Sequence, residues 1–181
     1  MPKRNAKPIR KAWKHCPRCS AKPACSNSNP FQCSNSDCGY QFYFSPVTAV
    51  GGLIVDPDGR MLFIVRGKDP GKGKLGLPGG FVDAGETAET ALVREVEEEL
   101  SLTITEYQYL ASFPNRYEFT GVILPVTDLF FASWVESFDP IQGQQGEVDG
   151  WQFIMPKEIR KQQLAFGTHY DAIKVFRNLG M

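Results

Sequence analysis

One stretch of this chain, Gly79 to Leu102, constrains its fold more than any other. It reads GGFVDAGETAETALVREVEEELSL and places seven acidic residues behind a pair of glycines. Thr87 is a suitable N-cap for a helix that begins at the next residue. Leu92, Val96 and Leu100 then recur every four residues, which is the apolar stripe of an amphipathic helix. The sequence therefore predicts a helix that buries this stripe in a core.

Three glutamates lie together on another face of the same predicted helix. Glu95, Glu98 and Glu99 stand at positions i, i+3 and i+4, so their side chains project in one direction. Three carboxylates on one face repel one another unless a cation lies among them. Their hard oxygen atoms suit Mg²⁺ or Mn²⁺. The alternative is a glutamate-rich helix face that is simply solvated.

The spacing of charged residues extends through the whole stretch. Five residues separate Gly80 from Glu86, and seven more separate Glu86 from Arg94-Glu95-Val96. One residue then precedes Glu98-Glu99, and one more precedes Ser101-Leu102. This arrangement resembles the Nudix box of the Nudix hydrolases, G-x5-E-x7-R-E-U-x-E-E-x-G-U, where U is bulky and aliphatic. Eight of the nine constrained positions match. Ser101 replaces the family's last glycine, at a helix end where a left-handed conformation costs a non-glycine residue about 1 kcal/mol.

The resemblance implies a fold, a cofactor and residue roles. The implied fold class is α/β (α+β), a Nudix-type α/β/α sandwich with a mixed sheet. The implied cofactor is Mg²⁺ or Mn²⁺. The resemblance assigns metal binding to Glu95, Glu98 and Glu99 with the carbonyl of Gly79, and a structural ion pair to Glu86 and Arg94.

The charge is unevenly distributed along the chain. Residues 1–14 carry six bases and no acid, although the 20 Lys and Arg residues of the whole chain balance its 20 Asp and Glu residues. We expect residues 1–14 to be a disordered tail, with nucleic-acid binding as the alternative. This tail has no apolar core, and no run approaches membrane-spanning length, so we expect a cytoplasmic protein without a membrane partner.

Five cysteines fall between positions 16 and 38. Two pairs separated by a polar loop are typical of a structural Zn²⁺ site, the alternatives being disulfides or free thiols. We expect a zinc ribbon at residues 15–45, similar to the ribbon that precedes the Nudix domain in some family members, and the main domain at residues 46–181. The predicted ligands are Cys16, Cys19, Cys33 and Cys38, which leaves Cys25 as a bystander.

The main domain contains several strand-like segments. A hairpin is predicted from Val47–Val55 and Met61–Arg66, joined by the turn Asp56-Pro57-Asp58-Gly59. Further strands are predicted at Glu106–Phe113, Val126–Val135 and Trp151–Ile154, with loops at 113–121 and 138–150. Helices are predicted at Pro156–Gln163 and Thr168–Leu179, the second with Ala172, Val175, Phe176 and Leu179 facing inward.

Candidate substrate contacts lie mainly in the predicted loops, where specificity usually resides. A glycine-rich basic loop from Gly67 to Gly80 can approach phosphates, which makes Arg66 and Lys74 candidate contacts, unless this loop is only mobile and solvated. Asn115, Arg116 and Tyr117 can select a base or sugar, although Tyr117 can equally belong to the core. Glu147, with Asp149 two residues later, resembles the position where many Nudix enzymes hold a further metal ligand or base.

The implied reaction is hydrolysis of a diphosphate bond in a nucleoside diphosphate joined to another moiety, such as ADP-ribose or a dinucleotide. Glu98 or Glu147 would accept the proton of the attacking water. The ribbon is similar to that of the NADH pyrophosphatases, but the SQPWPFPxS-like motif of that subgroup is replaced here by residues 111–117. Two other functions stay open, a non-catalytic nucleotide sensor and a nucleic-acid-binding or RNA-end-processing protein. The fold of this family often dimerises, which makes a homodimer a candidate assembly for this chain, although the sequence alone does not give its oligomeric state.

Overall fold

The computed structural model describes residues 6–180, which divide into two compact units. The first, called the N-terminal unit here, is drawn from residues up to 46 together with 116–125. The second, the main unit, is drawn from residues 47–115 and from 126 onward. This division differs from the predicted one because a central segment of the chain joins the N-terminal unit. The predicted boundaries at 14/15 and 45/46 stay predictions.

The N-terminal unit is built on short elements and an aromatic cluster. Strand β1 pairs in parallel with residues 122–123, and β2 pairs antiparallel with β3. The ring of Trp13 stacks on Phe42, with 4.8 Å between ring centroids, and meets Phe44 edge-on at 5.0 Å. The elements are β1 (Lys7–Pro8), α1 (Ile9–Ala12), β2 (Phe31–Gln32) and β3 (Gln41–Phe42).

Part of the N-terminal segment 1–14, which we expected to be disordered, has regular structure. Residues 7–12 form a short strand and one helical turn, because the backbone N–H of Lys7 donates to the carbonyl of Gly121. Residues 1–5 lie outside the described residues.

The main unit contains most of the regular structure. β4 pairs in parallel with β8, from Val47 opposite Val126 to Ile54 opposite Ser133, and β8 also pairs with β7. A second sheet has the strand order β6-β5-β9, with antiparallel neighbours. The elements are β4 (Val47–Ile54), β5 (Met61–Arg66), β6 (Leu75–Gly76), α2 (Ala88–Leu100), β7 (Ile104–Phe119), β8 (Val122–Val135), β9 (Val148–Ile154), a 3-10 helix (Lys161–Gln163) and α3 (Gly167–Asn178). The last residues of β7 and the first of β8, within 116–125, belong to the N-terminal unit.

The strands lie between two helices. On β5, Leu62 and Ile64 face the core that contains α2, whereas Met61 and Phe63 face the core that contains α3. These four side chains are at most 1% exposed, so both faces of the strand are covered. Parallel and mixed sheets covered on both faces need such continuous apolar runs. The architecture is therefore the α/β/α sandwich with a mixed sheet that the resemblance implied.

The predicted hairpin at 47–66 is wrong. β4 and β5 lie in different sheets and meet at a single bridge between Val55 and Met61. The turn itself forms, with the N–H of Gly59 donating to the carbonyl of Asp56 at 2.9 Å. A reverse turn sets the chain direction but not the strand partners, which are decided here by burial against distant segments.

The predicted loop at 113–121 is also wrong, because β7 and β8 continue through it as a long hairpin. Thr120 and Gly121 both have positive φ, 48° and 81°. This is the requirement of a two-residue type I′ turn, whose twist matches that of the strands.

Three smaller differences concern the C-terminal third. β9 begins at Val148 rather than Trp151, so the preceding loop is shorter than predicted. In the predicted helix Pro156–Gln163, only Lys161–Gln163 is helical, as a 3-10 turn. In α3, Leu179 lies beyond the last helical residue and is 62% exposed, and Ile173 is buried on the core face instead. Among the helices of the described residues, none is long and apolar enough to cross a membrane.

Candidate active site

Helix α2 is fixed at both ends by the residues that the sequence indicated. The hydroxyl of Thr87 accepts from the backbone N–H of Thr90 at 3.2 Å. At the other end Ser101 adopts φ 56° and ψ 33°, the left-handed conformation, and its N–H donates to the carbonyl of Glu97 at 2.8 Å. Leu92, Val96 and Leu100 are fully buried. The burial of each such side chain contributes about 2 kcal/mol, so the stripe orients the opposite, acidic face of the helix.

The segment before α2 runs alongside β4. The N–H of Gly52 donates to the carbonyl of Pro78, and the N–H of Val50 donates to that of Gly80. This places the N–H of Gly79 2.9 Å from a carboxylate oxygen of Glu99. The observed contact of Gly79 with the acidic face is therefore its N–H group, whereas the sequence predicted a role for its carbonyl.

The two glycines are required for different reasons. A Cβ atom on Gly79 would lie within 3.0 Å of the backbone carbonyl of Val50, and Gly79 also has φ +141°, a conformation that favours glycine. A Cβ atom on Gly80 would lie within 3.0 Å of the carboxylate of Glu95. Gly80 therefore leaves the space in which the Glu95 carboxylate lies.

Arg94 holds the acidic residues of the stretch together. Its Nε and Nη2 atoms lie 2.7 and 3.0 Å from the two carboxylate oxygens of Glu86, and Nη2 also donates to the carbonyl of Phe81. Its Nη1 atom lies 3.0 Å from Glu95 and 3.1 Å from Glu98. The guanidinium group thus joins the loop that carries Glu86 to the acidic face of α2.

The carboxylates differ in burial and therefore in pKa. Burial raises the pKa of Glu99 to about 8, and the negative charge of Glu95 adds to this rise, against the stabilising N–H of Gly79. Burial also raises the pKa of Glu95, with Arg94 opposing the rise and the charge of Glu98 adding to it. Glu98 is the open member, with a side chain that is 49% exposed. Two half- or fully buried carboxylates beside an open one form a site that a cation would stabilise.

The three glutamates suit a hard divalent cation by the chemistry of their oxygens, although they do not converge tightly. Among the described residues, the four cysteines of the N-terminal unit are the one group of potential metal ligands that lies within 4.8 Å of one another. In the main unit the Arg94 guanidinium lies between Glu95 and Glu98 and acts as their counter-ion. A bound cation would take over part of that role.

The segment before β9 lies next to the end of β5. The N–H of Gly67 donates to the carbonyl of Glu147 at 2.7 Å, and a Cβ on Gly67 would meet the carboxylate of Asp149. The Glu147 carboxylate pairs with Lys68. The charge of Glu147 contributes to the raised pKa values of both Glu95 and Glu99. The structure therefore brings Glu147 into electrostatic range of the acidic face, whereas Asp149 lies against Gly67.

Arg66 has a more defined environment than the sequence indicated. Its Nε atom donates to the carbonyl of Pro70 at 2.9 Å, and its guanidinium carbon lies 5.1 Å from the centre of the Phe166 ring. Its positive charge opposes the rise of the Glu99 pKa. Lys74 is exposed and donates through its N–H to the carbonyl of Gly71. Within the predicted loop from Gly67 to Gly80, Leu75–Gly76 instead forms strand β6, which pairs with β5.

Asn115 belongs to a buried network that the sequence did not indicate. Its amide donates to the carboxylate of Asp128 at 2.8 Å, and the hydroxyl of Thr168 donates to the same oxygen at 2.6 Å. Burial raises the pKa of Asp128, and these two hydrogen bonds oppose the rise. Arg116 and Tyr117 fall in the N-terminal unit. No signal in the sequence joins Asp128 to Thr168, since they are separated by 40 residues.

His169, which the sequence indicated as structural or exposed rather than catalytic, makes a contact that the sequence did not indicate. It is 9% exposed, and its Nδ1 atom accepts from the backbone N–H of Leu77 at 3.0 Å. Leu77 directly precedes the Pro78-Gly79-Gly80 segment. His169 thereby fixes, from α3, the start of the segment that contacts the acidic face.

The four predicted zinc ligands do converge in the N-terminal unit. The sulfur atoms of Cys16 and Cys38 lie 3.9 Å apart, and those of Cys19 and Cys33 lie 3.4 Å apart. A tetrahedral zinc–thiolate site with bonds of about 2.3 Å has sulfurs about 3.8 Å apart. All five cysteines are free thiols, including the exposed Cys25. The cluster therefore suits a Zn²⁺ ion, and the N–H of Asn35 donates to the Cys33 sulfur, a contact that favours the thiolate form.

Comparisons with known proteins agree with this geometry. The profile of the NUDIX domain matches residues 45–176. The ADP-ribose pyrophosphatase of Methanocaldococcus jannaschii is 49% identical over 63 residues, which are 35% of this chain and 37% of that protein. The NAD-capped RNA hydrolase NudC of Haemophilus influenzae is 29% identical over 147 residues, covering 72% of this chain and 54% of that protein. The chain thus spans about a third to a half of the length of these relatives.

Solved structures show the same fold. A NUDIX hydrolase from Nitrosomonas europaea superposes with a TM-score of 0.68 at 21% identity, covering 90% of this chain and 89% of that one. A MutT NUDIX hydrolase from Burkholderia pseudomallei superposes with a TM-score of 0.59 at 26% identity, covering 72% of this chain and 97% of that one.

Proposed function

Because the chain belongs to the Nudix hydrolase family, as the match over residues 45–176 shows, we propose that it hydrolyses a diphosphate bond in a nucleoside diphosphate joined to a second moiety. The observation that carries this proposal is the acidic face of α2: Glu99 accepts from the N–H of Gly79, the Glu95 carboxylate lies against Gly80, and Arg94 bridges Glu95 and Glu98. The names of two relatives, an ADP-ribose pyrophosphatase and an NAD-capped RNA hydrolase, support a dinucleotide or an ADP-ribose-like compound.

A divalent cation is part of this proposal. Glu95, Glu98 and Glu99 would hold Mg²⁺ or Mn²⁺, with the carbonyl of Gly79 as a further ligand, because all four groups offer hard oxygen atoms. When bound, the ion supplies positive charge toward the diphosphate and makes water more acidic. The raised pKa values of Glu95 and Glu99 support this assignment, since a cation offsets the cost of ionising buried carboxylates.

Glu98 and Glu147 are the two candidates for the group that accepts the proton of the attacking water. The Glu98 side chain is 49% exposed and is held from one side by Arg94, so its remaining lone pairs are open to solvent. The Glu147 side chain is 34% exposed and pairs with Lys68. A carboxylate at hydrogen-bond distance from the water can serve as general base and contributes about 10² to 10⁴ in rate.

The substrate contacts follow from charge and position. Arg66 and Lys74 would contact the phosphates, because both carry positive charge at the two ends of the 67–73 loop. For the base or sugar we propose Asn115, which lies in the main unit; the roles of Arg116 and Tyr117, which fall in the N-terminal unit, stay predictions from the sequence. The Asn115 amide is held by the buried Asp128, which would fix its orientation toward a ligand.

A panel of dinucleotides and nucleoside diphosphate derivatives tests the proposal. Each compound is incubated with Mg²⁺ or Mn²⁺, and the products are identified by mass. Glu98→Gln should reduce the rate about 10³-fold, which corresponds to about 4 kcal/mol in the barrier. Glu97→Gln is the matched control, because Glu97 is an exposed glutamate one position away that points elsewhere. Equal rates for both variants would overturn the assignment of Glu98.

Two alternatives have specific outcomes in the same experiment. If all compounds stay intact while a nucleotide still binds tightly, the protein is a nucleotide sensor. An RNA-end-processing function is favoured by the basic N-terminal residues and by the name of the NudC relative. It would appear as cleavage of a 5′-capped RNA when the free dinucleotide is left intact.

A further inference from the structure

A pocket of about 390 Å³ lies in the N-terminal unit. It is lined by positively charged side chains, and none of the described residues that line it is acidic. The cysteine cluster and the aromatic cluster of the same unit do not account for these charges. The charged and aromatic lining residues are Arg10, Lys11, Lys14 and Lys22, together with His15 and Trp13.

The charge of this region contrasts with that of the rest of the chain. Residues 1–46 contain eight Lys and Arg residues and one acid, Asp37, which leaves 12 bases and 19 acids for residues 47–181. Four thiolates with one Zn²⁺ would reduce the positive charge by two, so the region stays basic. A basic surface of this density attracts polyanions at long range.

The backbone under the basic side chains is fixed by hydrogen bonds. The Nδ1 atom of His15 bonds to the carbonyl of Ser20 at 3.1 Å, and the N–H of Cys16 donates to the carbonyl of Ala21 at 2.7 Å. The carbonyl of Lys22 accepts from Ser34 at 3.1 Å. The backbone next to Lys14 and at Lys22 is therefore fixed before a ligand binds, which lowers the entropy cost of binding.

Exposed aromatic rings adjoin the basic side chains. Trp13 lines the pocket and stacks on Phe42, which is 38% exposed, and Tyr43 next to it is 64% exposed. Aromatic side chains beside a basic groove are typical of proteins that bind single-stranded nucleic acid, since unpaired bases stack on such rings. An acidic peptide would use the cations but not the rings.

We propose that this basic pocket binds the phosphodiester backbone of a single-stranded nucleic acid. Lys11, Lys14 and Lys22 contact the phosphates, and the exposed ring of Phe42, which stacks on Trp13 of the pocket lining, accepts an unpaired base. The proposal concerns the N-terminal unit and does not depend on the hydrolysis proposed for the main unit.

The test uses the full chain and a fluorescein-labelled 12-nucleotide oligomer, as RNA and as DNA of the same sequence. Fluorescence anisotropy is measured from 50 to 200 mM NaCl. We expect Lys11→Gln/Lys22→Gln to weaken binding at least tenfold and to make the slope of log K against log[salt] shallower by about 1.4, since each phosphate contact on a single strand contributes about 0.7. Tighter binding of RNA than of DNA would indicate additional contacts to 2′-hydroxyl groups, and equal binding would indicate recognition of the phosphodiester backbone alone. Both outcomes support binding of a single strand at this pocket.

A control variant distinguishes binding at this pocket from non-specific attraction of the oligomer to exposed lysines elsewhere. Lys157→Gln removes an exposed lysine of the main unit, so it should leave the affinity for the oligomer within twofold. The inference is overturned if Lys157→Gln weakens binding as much as the pocket substitutions do, or if the wild-type protein does not bind the oligomer at 50 mM NaCl. Equally tight binding of polyglutamate, or of vesicles with anionic lipids in place of the oligomer, also overturns it. Hydrolysis of the small-molecule panel by the double variant reports separately on the proposed enzymatic function.

Discussion

Arg94 and Glu86 form a two-point ion pair, with nitrogen–oxygen distances of 2.7 and 3.0 Å, across eight residues of chain. Both side chains are mostly buried, 26% and 17% exposed. Arg94→Met would leave the Glu86 carboxylate partly buried without its partner, so we expect the free energy of unfolding to fall by about 2 to 3 kcal/mol, below the range for fully buried pairs. Chemical denaturation at pH 7 measures this change.

A double substitution is the control for this prediction. Arg94→Met/Glu86→Leu removes both charges and should lose less stability than the sum of the single variants. Additive losses would contradict the ion pair as a stabilising contact. The pH dependence has a defined sign. The Arg94 hydrogen bonds hold the pKa of Glu86 below its usual value, so the pair's contribution is present above pH of about 4.3 and is lost as the pH falls through the folded-state pKa.

Helix α2 and its acidic face could be predicted from sequence because their determinants are local. The Thr87 cap, the apolar stripe and the left-handed Ser101 all lie within about fifteen residues of one another. Strand pairing could not be predicted in the same way. β4 pairs with β8, more than 70 residues away, and the turn between β4 and β5 is compatible with either partner.

The length of strand β7 could not be predicted from the sequence either. The segment 113–121, predicted as a loop, contains Pro114, and proline cannot donate a hydrogen bond within a sheet. In the structure Pro114 lies within β7, for which β8 is the one strand partner among the described residues. Proline is tolerated on such an edge strand. The contacts of Asn115 with Asp128 and of Leu77 with His169 were missed because sequence spacing carries no information on them.

Gly79 and Gly80 should respond differently to alanine. Gly80→Ala brings a methyl group against the Glu95 carboxylate, whose flexible side chain can move away. We therefore expect a folded protein with stability within about 1 kcal/mol of wild type, because the strain is relieved by a side chain. Its apparent affinity for Mg²⁺ or Mn²⁺ in the hydrolysis assay should fall at least tenfold.

Gly79→Ala is the comparison for that variant. Its methyl group would overlap the backbone carbonyl of Val50, and alanine disfavours φ +141°. The backbone must move, so we expect a loss of about 3 kcal/mol or more in the free energy of unfolding. If Gly80→Ala were the more destabilising of the two, the placement of Glu95 against Gly80 would be wrong.

Ser101 offers a stabilising substitution. Ser101→Gly relieves the strain of a β-carbon at φ 56° and should raise the free energy of unfolding by about 0.5 to 1 kcal/mol, less the entropy of a more flexible unfolded chain. The midpoint of thermal denaturation should rise by about 2 to 4 °C, because a gain of about 1 kcal/mol shifts the melting temperature of a domain of this size by roughly that amount. Ser101→Ala keeps the β-carbon, so a gain of equal size in that variant would contradict this explanation.

His169 should make the stability of the main unit depend on pH. Burial, with the positive charge of Arg66 adding to it, lowers the pKa of His169 to about 3. The imidazole also faces the rings of Phe130 and Phe166, and its Nδ1 must stay unprotonated to accept from Leu77. In the unfolded chain the pKa is about 6.5. Between pH 6.5 and 3 the unfolded state binds one more proton than the folded state. The contribution of His169 to the free energy of unfolding is therefore fully present above pH 6.5 and is lost as the pH falls toward 3.

Urea denaturation at pH 7, 6, 5 and 4 tests this dependence. His169→Asn retains an acceptor near the position of Nδ1 but does not titrate. We expect this variant to be less stable than wild type at pH 7, because it loses ring packing. On acidification below pH 6, however, its free energy of unfolding should fall less than that of the wild-type protein, by about 1.4 kcal/mol for each pH unit. The difference arises because only the wild-type protein must exclude a proton from this buried site. Parallel stability curves for the two proteins would mean that the pKa of His169 is not lowered in the fold, and the hydrogen bond from Leu77 would then have to be reassigned.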